Sequence, residues 1–422
     1  MNESVAIIGG GIGGLTAAYL LRRKYEITLF EKTNRVGGNA YTHKTRSGLE
    51  TDVCVAAYSR LVSKNFFKLL DELDVPRVRQ PGKALLTVYN PETKEGVYLT
   101  PFSLKGLRAQ KFQMLRKDDF WDLTMANWYM GKGARLYRQG RMRGMTMRQA
   151  FELLPGMKKG NRMMLTLVPL CLLSSMYYEE ILESPAEFFF KKISAFGDFH
   201  PYHQMFGLYF PKNLTRSYVD ALKSHFAESI VLNAKIRTVL RDKEGVTLVM
   251  EDGEKRRFNH VVFACNADQA LALLEQPSAD EDRLLGAWSY HDGRMVLHTD
   301  ASAFPPRELC QTWTALESKT KDGGRHFSIT GCTWKGVPSL PEDSNIFATQ
   351  YPNFPIREEA IELDRTFRTP IFDFKAMETV NELPSLNGKQ HSYYCGSHFG
   401  LGLHNDAVTS AVEAARALGV DW

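Results

Sequence analysis

The chain has 422 residues, 44% of them hydrophobic and 24% charged, with 53 Lys and Arg against 48 Asp and Glu for a formal net charge of +5. That length accommodates two packed domains, and so small a net charge names no partner by itself. Six cysteines, Cys54, Cys171, Cys265, Cys310, Cys332 and Cys395, form no C-x-x-C pair, which argues against a zinc site or a disulfide framework and for a reduced, cytoplasmic setting.

The first predicted element is the apolar run Val5–Ile8, which reads as a parallel strand buried on both faces. It follows the polar Asn2-Glu3-Ser4 and runs straight into glycine, a pattern unlike a signal peptide. Gly9, Gly11 and Gly14 stand in G-x-G-x-x-G register, with Gly13 inside the motif. Leu15, Ala18, Tyr19 and Leu21 then recur near helical spacing, and Ile27, Leu29 and Phe30 return to a strand that ends at Glu31. Strand, glycines, helix, strand and terminal acid make a complete dinucleotide fingerprint. One glycine turns the chain, one lets a pyrophosphate approach the backbone, and one lets helix and strand pack closely. The helix start offers N–H groups to the phosphates, while Glu31 is placed to bond a ribose, with Lys32 beside it in the same set.

Next comes KTNRVGGNA, in which Arg35, Gly37 and Gly38 form R-x-G-G. This turn resembles the flavoprotein pattern that adds a second set of pyrophosphate contacts. On these motifs the chain resembles the FAD-dependent oxidoreductases that include flavin amine oxidases, protoporphyrinogen oxidases, phytoene desaturases and fatty-acid isomerases. Within them it is most similar to the short bacterial predicted NAD/FAD-binding proteins. The resemblance implies a noncovalent FAD site assembled from distant pieces of chain. Two departures stand out: Asp52-Val53-Cys54 where the family often has D-x-G-x, and Ala411 rather than glycine after Ser410. A buried, hydrophobe-like role for Cys54 is favoured over a covalent flavin link.

Residues 101–163 carry 14 Lys or Arg against four acids, twice the net charge of the whole chain, and more than half of its fifteen methionines. Trp121, Trp128, Tyr129 and Tyr137 are interleaved, and Thr146 to Gln149 forms a capping-box pattern that starts a helix. Cations beside aromatics suit a peripheral contact on the inner face of a membrane, or a collar for an acidic carrier protein or anionic substrate head. A solvated helical face over a methionine-containing core is the competing reading. No nucleic-acid recognition module accompanies the charge. Met163 to Tyr178 is the longest apolar stretch but is interrupted by Pro169, so it reads as a buried segment of a substrate domain rather than a membrane span.

Ile230 to Asn266 carries a strand-turn-strand pattern with Gly245 and Asp252-Gly253 at the turns, ending in the buried strand Val261–Ala264. The family resemblance places the backbone of Ile236 at the adenine. Leu274 to Pro384 alternates apolar runs with turns and reads as the substrate domain's sheet, with His298, Trp334 and Lys335 as candidate chemical residues. Tyr393 to Gly419 is similar to the family's C-terminal motif: Gly396, Gly400 and Gly402 form the turn, and Val408, Ala411, Val412, Ala415 and Leu418 give the next helix one apolar face. By that resemblance Asn405, Asp406 and Ala407 stand where the helix start meets the flavin, and His404 is the histidine nearest the ring. Asn405 and Asp406 are equally suited to capping.

The expected fold is α/β, a three-layer Rossmann-like FAD-binding domain of the glutathione reductase type built from residues 1–75, 210–272 and 385–422. Residues 76–209 and 273–384 are expected to form a mixed α+β substrate domain. The expected activity is transfer of hydride from a C–C or C–N bond of a hydrophobic, lipid-like substrate to the flavin. Alternatives are a redox-neutral fatty-acid isomerase, a flavin amine oxidase and a noncatalytic flavin-binding partner protein. A single G-x-G-x-x-G gives no support for a second, NAD(P)H-binding domain.

Overall fold

The computed structural model describes residues 3–54, 57–79, 86–98, 108, 112, 117–197, 208–333, 340–341 and 343–422. Its nucleotide-binding end is built on a five-stranded parallel sheet. In chain order the strands are Ser4–Ile8, Glu26–Phe30, Ile230–Val231, His260–Phe263 and Ser392–Tyr394; in space they run third, second, first, fourth, fifth. That is the order of a Rossmann sheet, with the ligand-binding crevice at the carboxyl end of the first strand.

Alternation along these strands sets the layers. Val5, Ile7, Leu29 and Val262 pack with the helices Ile12–Leu21 and His404–Ala417, while Ala6, Ile8, Phe30, Val261 and Phe263 pack towards Val246, Leu248 and Phe258. The latter residues belong to an antiparallel meander, Ile236–Asp242, Gly245–Met250 and Lys255–Phe258. Helices, parallel sheet and meander therefore form three layers, and both faces of the sheet are buried, which is why its strands read as continuous apolar runs.

The second sheet has seven strands in the order Ile361–Pro370, Tyr290–His298, Phe347–Gln350, Arg325–Cys332, Trp313–Lys319, Leu86–Asn90, Glu95–Tyr98. All its pairings are antiparallel except Trp313–Lys319 with Leu86–Asn90. A helical lobe packs beside it: Lys117–Arg138, Met147–Glu152, Arg162–Ser174, Tyr178–Glu183 and Ala186–Ala195. Thr146 caps the second of these in a full capping box with Gln149. The apolar stretch around Pro169 forms the buried helix Arg162–Ser174, which ends where Ser175 turns left-handed at φ +50°. No helix among the described residues is long and apolar enough to cross a membrane.

Two buried polar clusters join distant parts of the chain. Asp52 accepts from the Thr42 hydroxyl at 2.6 Å and from the Thr215 amide and hydroxyl at 3.0 and 2.7 Å. Glu281 pairs with Arg241 at 2.5 Å and accepts from the Tyr394 hydroxyl at 2.5 Å, linking the meander, the helix Ala279–Leu285 and the fifth strand. Burial outweighs the three donors at Asp52 and pushes its pKa up to about 6.

Since folding raises this pKa, the native chain keeps the Asp52 proton to a higher pH than the unfolded one. Its contribution is fully present below the unfolded value and is lost as pH rises through the folded value. The stability of Asp52→Asn relative to the parent should therefore increase by on the order of 2–3 kcal/mol between about pH 4 and about pH 8. Urea unfolding at a series of pH values measures this difference, and a flat profile would contradict the buried environment of Asp52, in which desolvation outweighs its hydrogen bonds and the Arg216 charge.

Candidate nucleotide and active site

Glycine dictates the geometry where the first strand ends. A Cβ at Gly9, where φ is +111°, would stand 2.6 Å from the Ala264 carbonyl oxygen, and one at Gly14 would stand 1.9 Å from the Gly9 carbonyl oxygen. Gly11 is the opposite case: an added Cβ meets nothing within 4 Å, so its backbone faces open space. The Arg35-to-Gly38 turn packs directly on Gly11. The Gly37 amide donates to the Gly10 carbonyl at 2.7 Å, and a Cβ on Gly38 would lie 3.1 Å from the Gly11 Cα. The two glycine turns are thus stacked on each other.

Glu31 closes one end of this cradle. One of its oxygens accepts from the Gly10 amide and the other from the amide and hydroxyl of Thr33, each at 2.8 Å. A carboxylate has about four lone-pair sites, so one remains for a ribose hydroxyl. Lys32 reaches the Gln269 amide oxygen at 2.9 Å when that amide is oriented to accept. Ile236 begins the meander, and the chain just before it is fixed to the same corner, since the Ala234 amide donates to the Glu31 carbonyl at 2.9 Å.

Arg35 lies over the Tyr41 ring at 4.2 Å and donates to the Gly38 carbonyl at 2.7 Å, yet its Nε is buried without a partner. The Arg365 guanidinium sits over the same ring at 4.6 Å. Burial, and then the Arg365 charge, lower the Arg35 pKa to about 10. Neither arginine has a carboxylate within ion-pair distance among the described residues. Two converging guanidinium groups beside an open glycine backbone suit a diphosphate. Arg365 has no motif in the sequence; only the fold brings it to Arg35.

The C-terminal turn forms the other end. Gly402, at φ +76°, takes the Phe372 ring where a Cβ would sit, 2.3 Å from its Cζ. The Gly396 amide donates to the Ser410 hydroxyl at 2.9 Å, tying the turn to the helix His404–Ala417. Gly13 abuts that helix, since its Cβ would lie 3.4 Å from the Ala407 carbonyl oxygen. Asp406 is occupied by capping, with the Leu401 and Leu403 amides at 2.9 and 2.7 Å; Asn405 accepts from the Phe66 amide at 3.0 Å. These side chains hold the turn in place, leaving the backbone N–H groups of the helix's first turn and its positive dipole end for a ligand.

His404 is enclosed by Tyr58, Phe66 and Tyr218, with ring centroids 5.4, 4.9 and 5.6 Å away. Burial lowers its pKa to about 3, and its Nε2 has no partner, so it is a neutral ring with one unused hydrogen-bonding atom. His298 requires correction as a candidate. It is fully buried in the second sheet, stacked on Phe347 at 5.3 Å and bonded to the Thr349 hydroxyl at 2.8 Å, and burial lowers its pKa to about 4. Met295 and Leu297 on the same strand pack with Val53 and Cys54, whereas His298 stacks on the Phe304 and Phe347 cluster. Lys335 and Trp334 lie outside the described residues. Burial pushes the Cys54 thiol up to about 12, an inert state for a cysteine.

Sequence reasoning missed Lys192. It is fully buried, donates to the Leu173 carbonyl at 2.8 Å and the Ser174 hydroxyl at 3.1 Å, and lies 5.3 and 5.5 Å from the Phe188 and Phe372 ring centres. Burial lowers its pKa to about 7, opposed by the Asp406 carboxylate, so it can hold or release a proton near neutrality one ring away from Gly402.

Residues 7–73 match the family of NAD(P)-binding Rossmann-like domains. The chain is 31% identical over 101 residues to 4,4'-diapolycopen-4-al dehydrogenase of Metabacillus indicus, a match covering 24% of this chain and 20% of the dehydrogenase. It is 38% identical over 122 residues to prenylcysteine oxidase 1 of Bos taurus, covering 27% of this chain and 23% of the oxidase. The matched region thus spans about a fifth of the length of these curated relatives. Among solved structures, a CLA-producing fatty acid isomerase from P. acnes superposes with a TM-score of 0.64 at 15% identity, covering 97% of both chains. Cyclohexylamine oxidase from Brevibacterium oxydans superposes with a TM-score of 0.66 at 11% identity, covering 99% of this chain and 100% of that one. The chain shares the overall fold of these two structures. Within this fold, the stacked glycine turns, the unused Arg35 Nε and His404 Nε2, and the helix start at His404 fit a flavin dinucleotide.

Gly11 offers a clean test of that fit, because its φ of −70° suits any residue and nothing occupies the space beyond it. Gly11→Val should fold with unchanged circular dichroism and the thermal midpoint of the flavin-free parent while losing bound flavin, read by absorbance after purification. Stoichiometric flavin in this variant would show that the cradle lies elsewhere.

Proposed function

We propose that the protein is a FAD-dependent oxidoreductase acting on a hydrophobic, lipid-like substrate. The observation that carries the cofactor reading is the stacking of the Arg35-to-Gly38 turn on Gly11, with the unpartnered Arg35 Nε beside it. Both the fold and the motif spacing support the same reading. FAD would supply the hydride acceptor for oxidation of a C–C or C–N bond. Gly11, Gly37, Gly38, Arg35 and Glu31 would bind its diphosphate and ribose, and the first turn of His404–Ala417 would present N–H groups to the ring.

The apolar substrate class rests on the wall behind Gly402. Phe372 stacks on Phe188 at 4.2 Å and meets Trp288 edge-on at 5.9 Å, so this side of the turn excludes water. Lys192 lies near both the Phe188 and Phe372 rings, and its lowered pKa lets it hold or release a proton without placing a permanent cation there.

Anaerobic titration of the flavin-loaded protein with a lipid extract, and separately with a panel of amines, tests this function. Bleaching of the visible flavin band by lipid and not by amines is the expected result. Bleaching by amines alone would replace the lipid reading with an amine oxidase. Bound flavin that nothing bleaches, with an isomerised product in the lipid fraction, would replace net oxidation with a redox-neutral isomerisation.

A further inference from the structure

Among the described residues, five large apolar side chains are exposed, and three of them, Phe112, Trp121 and Trp128, fall in one short segment. The two tryptophans are 49% and 54% exposed and lie on the helix Lys117–Arg138. At 3.6 residues per turn, Trp121, Trp128, Lys132 and Arg135 share a strip about 60° wide. The Lys132 ammonium lies 5.3 Å from the centre of the Trp128 ring. The opposite face is fixed in the core: Ala126, Tyr129, Met130 and Ala134 are buried, and a Cβ on Gly133 would stand 2.1 Å from the Phe190 ring. The helix therefore cannot roll to hide its tryptophans.

Beyond the N-terminal end of this helix, which carries Asp118, Asp119 and Asp122, the charge has one sign. Residues 123–151 contain six Lys or Arg and no Asp or Glu. Arg148 is paired with Glu179 and Glu183, but Lys132, Arg135, Arg141 and Arg143 form no ion pair among the described residues. Asp122, beside the strip, is neutralised by Arg162 at 2.9 Å.

We propose that the Trp121–Trp128 face of this helix docks the protein onto an anionic lipid bilayer. Indoles rest at the boundary between headgroups and acyl chains, and cations beside them meet lipid phosphates. Both requirements are met on one rigid strip. A carboxylate-rich protein surface would answer the cations but offers no apolar layer for two half-exposed indoles. The inference is independent of the cofactor and uses none of the residues of the glycine cradle. It also gives a lipid-like substrate a source next to the enzyme.

Co-sedimentation of the full chain with vesicles tests it, using phosphatidylcholine alone and phosphatidylcholine mixed with phosphatidylglycerol. Binding is expected to the mixed vesicles and to fall steeply with added salt. Lys132→Gln with Arg135→Gln should weaken it about thirtyfold, at about 1 kcal/mol per cation near the surface. Trp121→Ser with Trp128→Ser should also weaken it, with the thermal midpoint unchanged, whereas Leu232→Ser, at an exposed leucine elsewhere, should bind like the parent. Absence of binding to either vesicle, or equal binding by the parent and both double variants, overturns the proposal. So does binding of a purified acidic acyl carrier protein in place of the vesicles.

Discussion

The approach of Gly14 to the Gly9 carbonyl is the contact on which the nucleotide end depends. A single methyl at Gly14 would stand 1.9 Å from that oxygen, so any side chain would push the helix Ile12–Leu21 off the first strand. With glycine at both positions, the helix begins directly above the strand's carboxyl end and aims its free N–H groups into the crevice. The same helix lies against the C-terminal helix through Gly13 and Ala407, so its position also sets where the turn at Gly402 sits. One backbone contact thereby orients sites nearly four hundred residues apart in sequence.

Such a site needs its pieces locked together, and buried polar groups do this in two electrically different ways. Asp52 joins the first and second pieces through Thr42 and Thr215 but has no buried cation, so desolvation prevails and its pKa rises. Burial alone would also raise Glu281, but hydrogen bonds from Arg241 and Tyr394 outweigh it and bring the carboxyl down to about 2. A buried carboxylate with neutral donors responds to pH near neutrality, whereas one with a guanidinium partner does not. The first cluster is therefore the pH-sensitive joint of the fold and the second a fixed one.

What was legible in the sequence follows the range of the interactions concerned. Gly9, Gly11, Gly14, Glu31, Gly37 and Gly38 act within about thirty residues of one another, so their spacing alone encodes a local turn, strand and helix. The capping box at Thr146 is likewise local. Arg365 and Lys192 carry no pattern because their roles arise only when the second sheet and the helical lobe are laid against the cradle. His298 misled for the converse reason: a histidine in a strand of the presumed substrate sheet says nothing about which side it packs on, and the fold stacks it on Phe347. For Asn405 and Asp406 the sequence leaves capping and a flavin contact equally open, and the fold commits the side chains to the amides of Phe66, Leu401 and Leu403.

The distribution of charge along the cradle has a chemical consequence. Formal positive charge is concentrated where Arg35 and Arg365 converge on Tyr41, the end suited to a diphosphate. Around the C-terminal turn, burial removes it: His398 and His404 are both held neutral, with pKa values near 3, and Lys192 is brought down to about 7. What remains there is the partial charge of a helix start, directional and unable to leave as a proton. One end of the cradle thus carries permanent cations, and the other a helix dipole, the capping Asp406 carboxyl and one titratable amine. Permanent cations suit the anionic part of a dinucleotide, whereas the buried aromatic cluster of Phe372, Phe188 and Trp288 disfavours permanent charge behind the C-terminal turn.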